Sequence, residues 1–159
     1  MINNDLVNLL KIKTLTISCA ESCTGGSVSK AITDVSGCSA VFYGGVVSYA
    51  NEVKMKVLGV SEKTLSSFGA VSRETAIEMA EGVKRACGTD IGISTTGIAG
   101  PDGGTDEKPV GTVYVGFSFN GESDAFNLKL DKNMTRDEIR QETVLRLLKY
   151  AYDKISQSY

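Results

Sequence analysis

TLTISCAESCTGGSVSKAITDV, residues 14–35, changes its hydrophobic period at the middle. Leu15, Ile17 and Cys19 alternate with Thr14, Thr16 and Ser18, the two-residue period of a strand. Beyond Gly25 and Gly26, residues Val28, Ala31, Ile32 and Val35 recur at i, i+3, i+4 and i+7, one face of a helix. Ala20 to Gly26, AESCTGG, therefore sits at a strand-to-helix junction. Open α/β sheets bind ligands at that edge, so the junction is also the first place to look for chemistry.

The same alternation of periods runs outward in both directions, without a linker, repeat or low-complexity tract. Before the first strand, a short helix over about residues 3–11 carries Leu6, Leu9 and Leu10 on one side. After the junction helix, Val41 to Tyr49 reads as a second strand. A short helix follows, with Asn51 as its N-cap and Gly59 at its end. Ser61 caps a further short turn closed at Gly69. Ser72 caps a longer helix with Ala76, Ile77, Ala80 and Val83 inward and Gly88 as terminator. Ile91 to Thr96 is a third strand entering a glycine-rich loop. Val113, Val115, Phe117 and Phe119 alternate along a fourth, Asn120-Gly121 turns a hairpin, and Phe126, Leu128 and Leu130 return along a fifth. Thr135 and Glu138 form a capping box for a last helix with Val144, Leu147, Leu148, Ala151 and Ile155 as its apolar stripe. The sum is one α/β domain over residues 1–159: a mixed, mostly parallel five-stranded sheet, helices on both faces and a C-terminal antiparallel hairpin.

Composition narrows the chemistry. The 159 residues include no histidine, which removes a Ser-His-Asp triad, a Cys-His pair and imidazole metal ligands. Acid-base work falls to lysine, carboxylate, tyrosine or thiol. Seventeen basic and nineteen acidic residues give a formal charge of −2, so no basic field is present to hold a nucleic-acid backbone. Cys19, Cys23, Cys38 and Cys87 show no Cys-x-x-Cys spacing, and no metal site is expected. The opening MINNDLVNLLKIK lacks the features of a secretory signal, and no apolar run reaches about 18 residues. The expected setting is the cytoplasm, with reduced thiols and no membrane partner.

Four groups of residues can carry a reaction. At the junction, Ser22 and Cys23 are rival nucleophiles, Thr24 adds a hydroxyl, and the N-H groups of Thr24, Gly25 and Gly26 are placed to bind an anion or an oxyanion. A capped helix with glycines for close packing explains the same residues. In SYANEVK, Lys54 stands one turn into a helix and is the preferred base for a serine, provided that its pKa is lowered to about 7 to 8. A solvated surface lysine is the alternative. Tyr49 can relay protons or orient the lysine, while Glu21 can act as a base, a partner for Lys54 or a counter-charge for a cationic ligand. The segment from Thr95 to Gly104, with Thr96, Gly97, Ala99 and Gly100 as candidate contacts, can form an anion nest or a pocket wall; it fits neither a Walker A nor a Rossmann glycine pattern. Arg136 and Arg140, one turn apart, suit a phosphate or carboxylate, or simply a charged helix surface.

TISCAESCTGG, ITDVSGCSAVFYGGVVSYANEVKMKVLGV, GAVSRETAIEMAEG and TTGIAGPDGGTDEKPVGTVYVGF, in this order and across nearly the whole chain, resemble the CinA C-terminal domain family. The resemblance implies a three-layer α/β/α fold and the activity of bacterial nicotinamide mononucleotide deamidases, which release ammonia and nicotinic acid mononucleotide without a cofactor. It implies Ser22 as nucleophile, Lys54 and Tyr49 as its catalytic companions, and Thr96 in a second pocket wall. An aspartate-arginine pair common in the family reads Thr135-Arg136 here, followed by Arg140. Longer family members carry an N-terminal pyrophosphatase domain that these residues do not contain, so that activity is not assigned. A homodimer is expected. The alternative function is a non-catalytic nucleotide-binding or protein-interaction module linked to competence or the DNA damage response.

Overall fold

A computed structural model describes residues 1–158. Among them are six α-helices and a five-stranded sheet: α1 (Ile2–Lys13), β1 (Ile17–Glu21), α2 (Ser27–Thr33), β2 (Phe42–Val47), α3 (Asn51–Leu58), α4 (Glu62–Phe68), α5 (Arg73–Cys87), β3 (Ile91–Gly97), β4 (Val113–Phe119), β5 (Glu122–Asn127) and α6 (Arg136–Gln157). The strand order is β2-β1-β3-β4-β5. β1 pairs in parallel with β2 and β3, and β4 is antiparallel to both β3 and β5, so four strands point one way and β4 the other. Helix α5 covers one face of the sheet with α3 and α4 outside it, while α1, α2 and α6 cover the opposite face. No helix among the described residues is long and apolar enough to cross a membrane.

The apolar patterns account for these layers. Leu6, Val7 and Leu10 of α1 pack with Leu147, Leu148, Ala151 and Ile155 of α6 over Ile17, Ile91 and Ile93. Each such aliphatic side chain removed from water contributes roughly 1.5–3 kcal/mol. The other face is narrower, with Ala20, Leu58, Val60, Met79 and Val83 at its centre. Small residues allow that side to close. A Cβ at Gly82 would overlap the Leu58 carbonyl oxygen, and one at Gly92 would overlap that of Ala80, so α5 packs backbone-close to both α3 and the sheet.

Several boundaries differ from the sequence reading. Thr14 is not in the first strand: it ends α1 in the left-handed region (φ 55), and its N-H returns to Lys11. Asn51 is the first residue of α3, and Ala50, with no side-chain acceptor, holds the N-cap position. Ile77 is half-buried, and Met79 takes the inward position on α5. The fifth strand stops at Asn127 because Lys129 turns to φ 48, although Leu128 and Leu130 still donate to the carbonyls of Val113 and Gly111. The caps at Ser61, Ser72 and Thr135 and the glycine terminators at 59 and 88 stand where the sequence put them.

This topology places one edge for chemistry. β1, β2 and β3 all end on the same side, where Glu21 lies level with Val47 and Thr95. The chain leaves β1 toward β2 across one face and returns from β2 to β3 across the other, which opens a crevice at the carboxyl ends of β1 and β3.

Candidate active site

Ser22 is the first residue after β1. Its backbone N-H donates to the Thr95 carbonyl at 3.0 Å, and its own carbonyl accepts the Gly25 N-H at 3.1 Å. Both backbone groups are thus held in a tight turn that leaves the side chain half-buried at the crevice. Gly25 and Gly26 follow with positive φ of 56 and 104, values that an L side chain adopts only with strain. Of the three N-H groups expected to be free for an anion, that of Gly25 is spent inside the turn. Those of Thr24 and Gly26 donate to no backbone carbonyl of the turn.

Lys54 reaches the serine from the other side. It is 1% exposed, one of the largest fully buried side chains of the protein. Its Nζ donates to Ser22 Oγ at 3.1 Å, to the Ser48 carbonyl at 2.7 Å and to the Tyr49 carbonyl at 3.3 Å. No carboxylate pairs with it among the described residues. Burial lowers its pKa from the ordinary lysine value; a nearby charge on Cys23 would oppose that shift. As an ammonium the group gives one N-H to each of the three oxygens; as a neutral amine, two N-H groups serve the two carbonyls and the lone pair is left for the serine hydroxyl.

Cys23 has the opposite character. It is 5% exposed, and burial pushes its thiol up to about 11. The depressed thiol that a helix N-terminus can produce does not occur here. Cys19, beside Glu21 in the core, is raised further for the same reason.

Other expected site residues take different positions from those their types suggested. The Tyr49 phenol does not touch Lys54; it is exposed and accepts from Arg136 Nη2 at 2.9 Å, so Tyr49 orients the lysine only through its backbone carbonyl. Thr96 is 1% exposed and donates to the Ala70 carbonyl, on the α5 side of the sheet. The neighbouring Thr95 faces the turn instead, since successive side chains of a strand point to opposite faces. Its hydroxyl lies 2.8 Å from that of Thr24. Register would have found it, because Thr95 pairs directly with Glu21. Glu21 itself is fully buried and forms no ion pair with Lys54 among the described residues. Its carboxylate accepts from the N-H groups of Val28 and Ser29 and from the hydroxyls of Thr24 and Ser29.

The two arginines do meet the site. Arg140 Nη2 donates to the Thr24 carbonyl at 3.0 Å and contacts Ser27 Oγ at 3.4 Å, which lays its guanidinium over Gly25. Arg136 Nη1 donates to the Gly100 carbonyl at 2.7 Å, tying the first turn of α6 to the glycine-rich loop. Gly97 ends β3, and Ala99 and Gly100 are buried just beyond it. Lys108 anchors the far end of that loop on the carbonyls of Phe68 and Val71. A cleft of about 340 Å³ lined by Phe117, Asp124 and Lys154 contains none of these residues and lies toward the opposite end of the sheet. Among the described residues, no group of three or more His, Cys, Asp or Glu is placed to hold a metal ion.

Known proteins share both the sequence and this architecture. The family model of the CinA C-terminal domain matches residues 1–155. A CinA-like protein of Kosmotoga olearia is 58% identical over 134 residues, covering 83% of this chain and 32% of that protein. A competence-damage inducible protein of a Thermoanaerobacter species is 57% identical over 143 residues, covering 90% and 34%. The chain thus spans about a third of the length of these relatives. Among solved structures, a CinA superfamily protein from Klebsiella pneumoniae superposes with a TM-score of 0.93 at 29% identity, covering 98% of this chain and 96% of that one. The competence/damage inducible protein CihA from Agrobacterium tumefaciens gives 0.87 at 39% identity, covering 94% and 93%. With the match extending over nearly all of its residues, the chain belongs to the CinA C-terminal domain family.

Proposed function

We propose that this protein is an amidohydrolase that converts nicotinamide mononucleotide and water to nicotinic acid mononucleotide and ammonia, with Ser22 as nucleophile and Lys54 as base. The observation that carries the reading is the buried Lys54 amine, 3.1 Å from Ser22 Oγ and without a carboxylate partner among the described residues. A lysine held in this way is what a serine needs in a chain without histidine. The choice of nicotinamide mononucleotide comes from the family resemblance. Two arginines beside the turn are consistent with a substrate that carries a phosphate.

In the proposed reaction, the Ser22 hydroxyl proton moves to Lys54 Nζ as Oγ bonds to the carboxamide carbon. The carbonyl π pair moves onto oxygen, where backbone N-H groups of the Thr24–Gly26 turn stabilise it. When the intermediate collapses, the C–N bond breaks and Lys54 returns the proton to the leaving nitrogen, so that ammonia departs. Water then adds to the acyl ester through the same lysine, Ser22 recovers its proton, and the carboxylic acid is released and ionises. Each step needs only the nucleophile, the base and the oxyanion donors.

Ammonia release from nicotinamide mononucleotide by the wild type, Ser22→Ala and Cys23→Ala tests the assignment. Loss in Ser22→Ala with retention in Cys23→Ala is expected. A Ser22→Ala protein that keeps near-normal release, or a wild type that binds the nucleotide in calorimetry without releasing ammonia, refutes it.

A further inference from the structure

The two ends of the Ser22–Lys54 contact have separate supports. Lys54 is fixed by the carbonyls that follow β2, those of Ser48 and Tyr49. The Ser22 end depends on a carboxylate that never reaches the crevice. Glu21 Oε1 accepts from the Val28 N-H at 2.8 Å and the Thr24 hydroxyl at 2.7 Å; Oε2 accepts from the Ser29 N-H at 3.0 Å and the Ser29 hydroxyl at 2.8 Å. Val28 and Ser29 are the second and third residues of α2, so Glu21 supplies the acceptor normally provided by an N-cap side chain. Position 26 cannot supply it: Gly26 holds φ 104, a conformation that disfavours serine, threonine or aspartate there. The cap therefore comes from the last residue of β1, and it closes residues 22–26 into a ring between strand and helix.

The ring extends to the neighbouring strand. Because the Thr24 hydroxyl gives its proton to Glu21, the Thr24–Thr95 bond runs from the Thr95 hydroxyl to the Thr24 oxygen. Thr95 in turn takes the Ser22 N-H on its carbonyl. No lysine or arginine pairs with the carboxylate among the described residues; apart from a long contact from the Cys19 thiol to Oε2 at 3.8 Å, its acceptors go to the turn and to the first turn of α2.

We infer that Glu21 is a positioning residue: its buried carboxylate sets the turn that holds Ser22 Oγ in reach of Lys54. The inference rests on Ser22 being the nucleophile proposed above. Glu21→Gln tests it, because one of the Val28 and Ser29 N-H groups must then face an NH₂ whichever way the amide turns. The turn shifts, and a misplacement of roughly 1 Å costs about 100-fold in rate. Two rates are measured per folded molecule, with folding followed by thermal melting: ammonia release from nicotinamide mononucleotide, and phosphonylation of Ser22 by a fluorophosphonate, which needs no carboxamide.

Glu21→Gln is expected to lose about 100-fold in kcat and in phosphonylation with KM little changed. Ile155→Ala, a core truncation near the end of α6, is expected to lower the melting temperature and leave both rates intact. Wild-type rates in Glu21→Gln, or equal losses in Ile155→Ala, overturn the inference. If Glu21→Gln does not fold, Ser29→Ala removes a single donor: slower phosphonylation supports the inference, and an unchanged rate overturns it. Wild-type protein that is phosphonylated at Ser22 yet releases no ammonia removes the proposed substrate and leaves the role of Glu21 readable. A wild-type Ser22 that resists phosphonylation overturns both.

Discussion

Replacing Lys54 with methionine should change how stability depends on pH, and the direction follows from burial. Lys54 is 1% exposed, and its pKa is lowered because the fold removes the amine from water. In the unfolded chain the same amine titrates near about 10.4. Between the lowered folded value and about 10.4, the unfolded chain binds one proton more than the native state. Wild-type stability therefore climbs with pH relative to the variant, by up to about 1.4 kcal/mol per pH unit. This contribution is complete above about 10.4 and is lost as pH falls through the folded pKa, because the native protein must then bury a charge. Methionine keeps the length of the stem and removes the amine. It leaves the Ser48 and Tyr49 carbonyls without their donor, at a cost of about 1–3 kcal/mol that does not vary with pH. Urea melts of both proteins from about pH 6 to about pH 10 isolate the effect, since every other titrating group cancels in the difference. The expected result is a difference in unfolding free energy that moves in favour of the wild type as pH rises toward about 10.4. Parallel curves over the whole range would show an amine that titrates in the fold as it does in water, and the argument for a neutral base would fail.

Three further outcomes follow from individual contacts. Tyr49→Phe removes the acceptor of Arg136 and keeps the carbonyl that holds Lys54, so kcat should fall less than about 10-fold, where a proton-relay role would cost about 100-fold or more. Arg136→Gln and Arg140→Gln should raise KM for nicotinamide mononucleotide more than for the same compound without its phosphate; equal changes for both substrates would exclude a phosphate contact. Thr135→Ala removes the side chain that accepts the Glu138 N-H in the capping box of α6, and chemical denaturation should report a loss of about 1 kcal/mol with kcat unchanged.

Much of the fold was readable because its signals are local. The period change at residues 14–35, the cap residues Ser61, Ser72 and Thr135, and the glycines after α3 and α5 each act over one or two helical turns. Boundaries failed where the backbone conformation of one residue ends an element that the apolar period continues. Thr14 matches the alternation of β1, yet its N-H completes the end of α1; Leu128 and Leu130 keep ladder-like bonds beyond a break at Lys129.

For the site, residue type offered Lys54 as base and Ser22 beside Cys23 as rival nucleophiles, and the family resemblance pointed to the serine; the fold brings Ser22 and Lys54 to 3.1 Å. Residue type misled for Glu21, Thr96 and the Tyr49 side chain. Whether a polar group faces a crevice or satisfies a neighbouring backbone depends on strand register and on which face is covered, and neither is written locally. Glu21 shows this most clearly: its acceptors serve the N-H groups of Val28 and Ser29, seven and eight residues away.

The proposed reaction needs an amine that can take a proton from a serine, and the pH dependence of ammonia release from nicotinamide mononucleotide, wild type against Lys54→Arg, measures that ability. The predicted wild-type kcat/KM rises with pH through an ionisation below the ordinary lysine range, while Lys54→Arg stays at background throughout because a guanidinium does not deprotonate in a protein. Activity retained in Lys54→Arg, or no ammonia from the wild type at any pH, would contradict it.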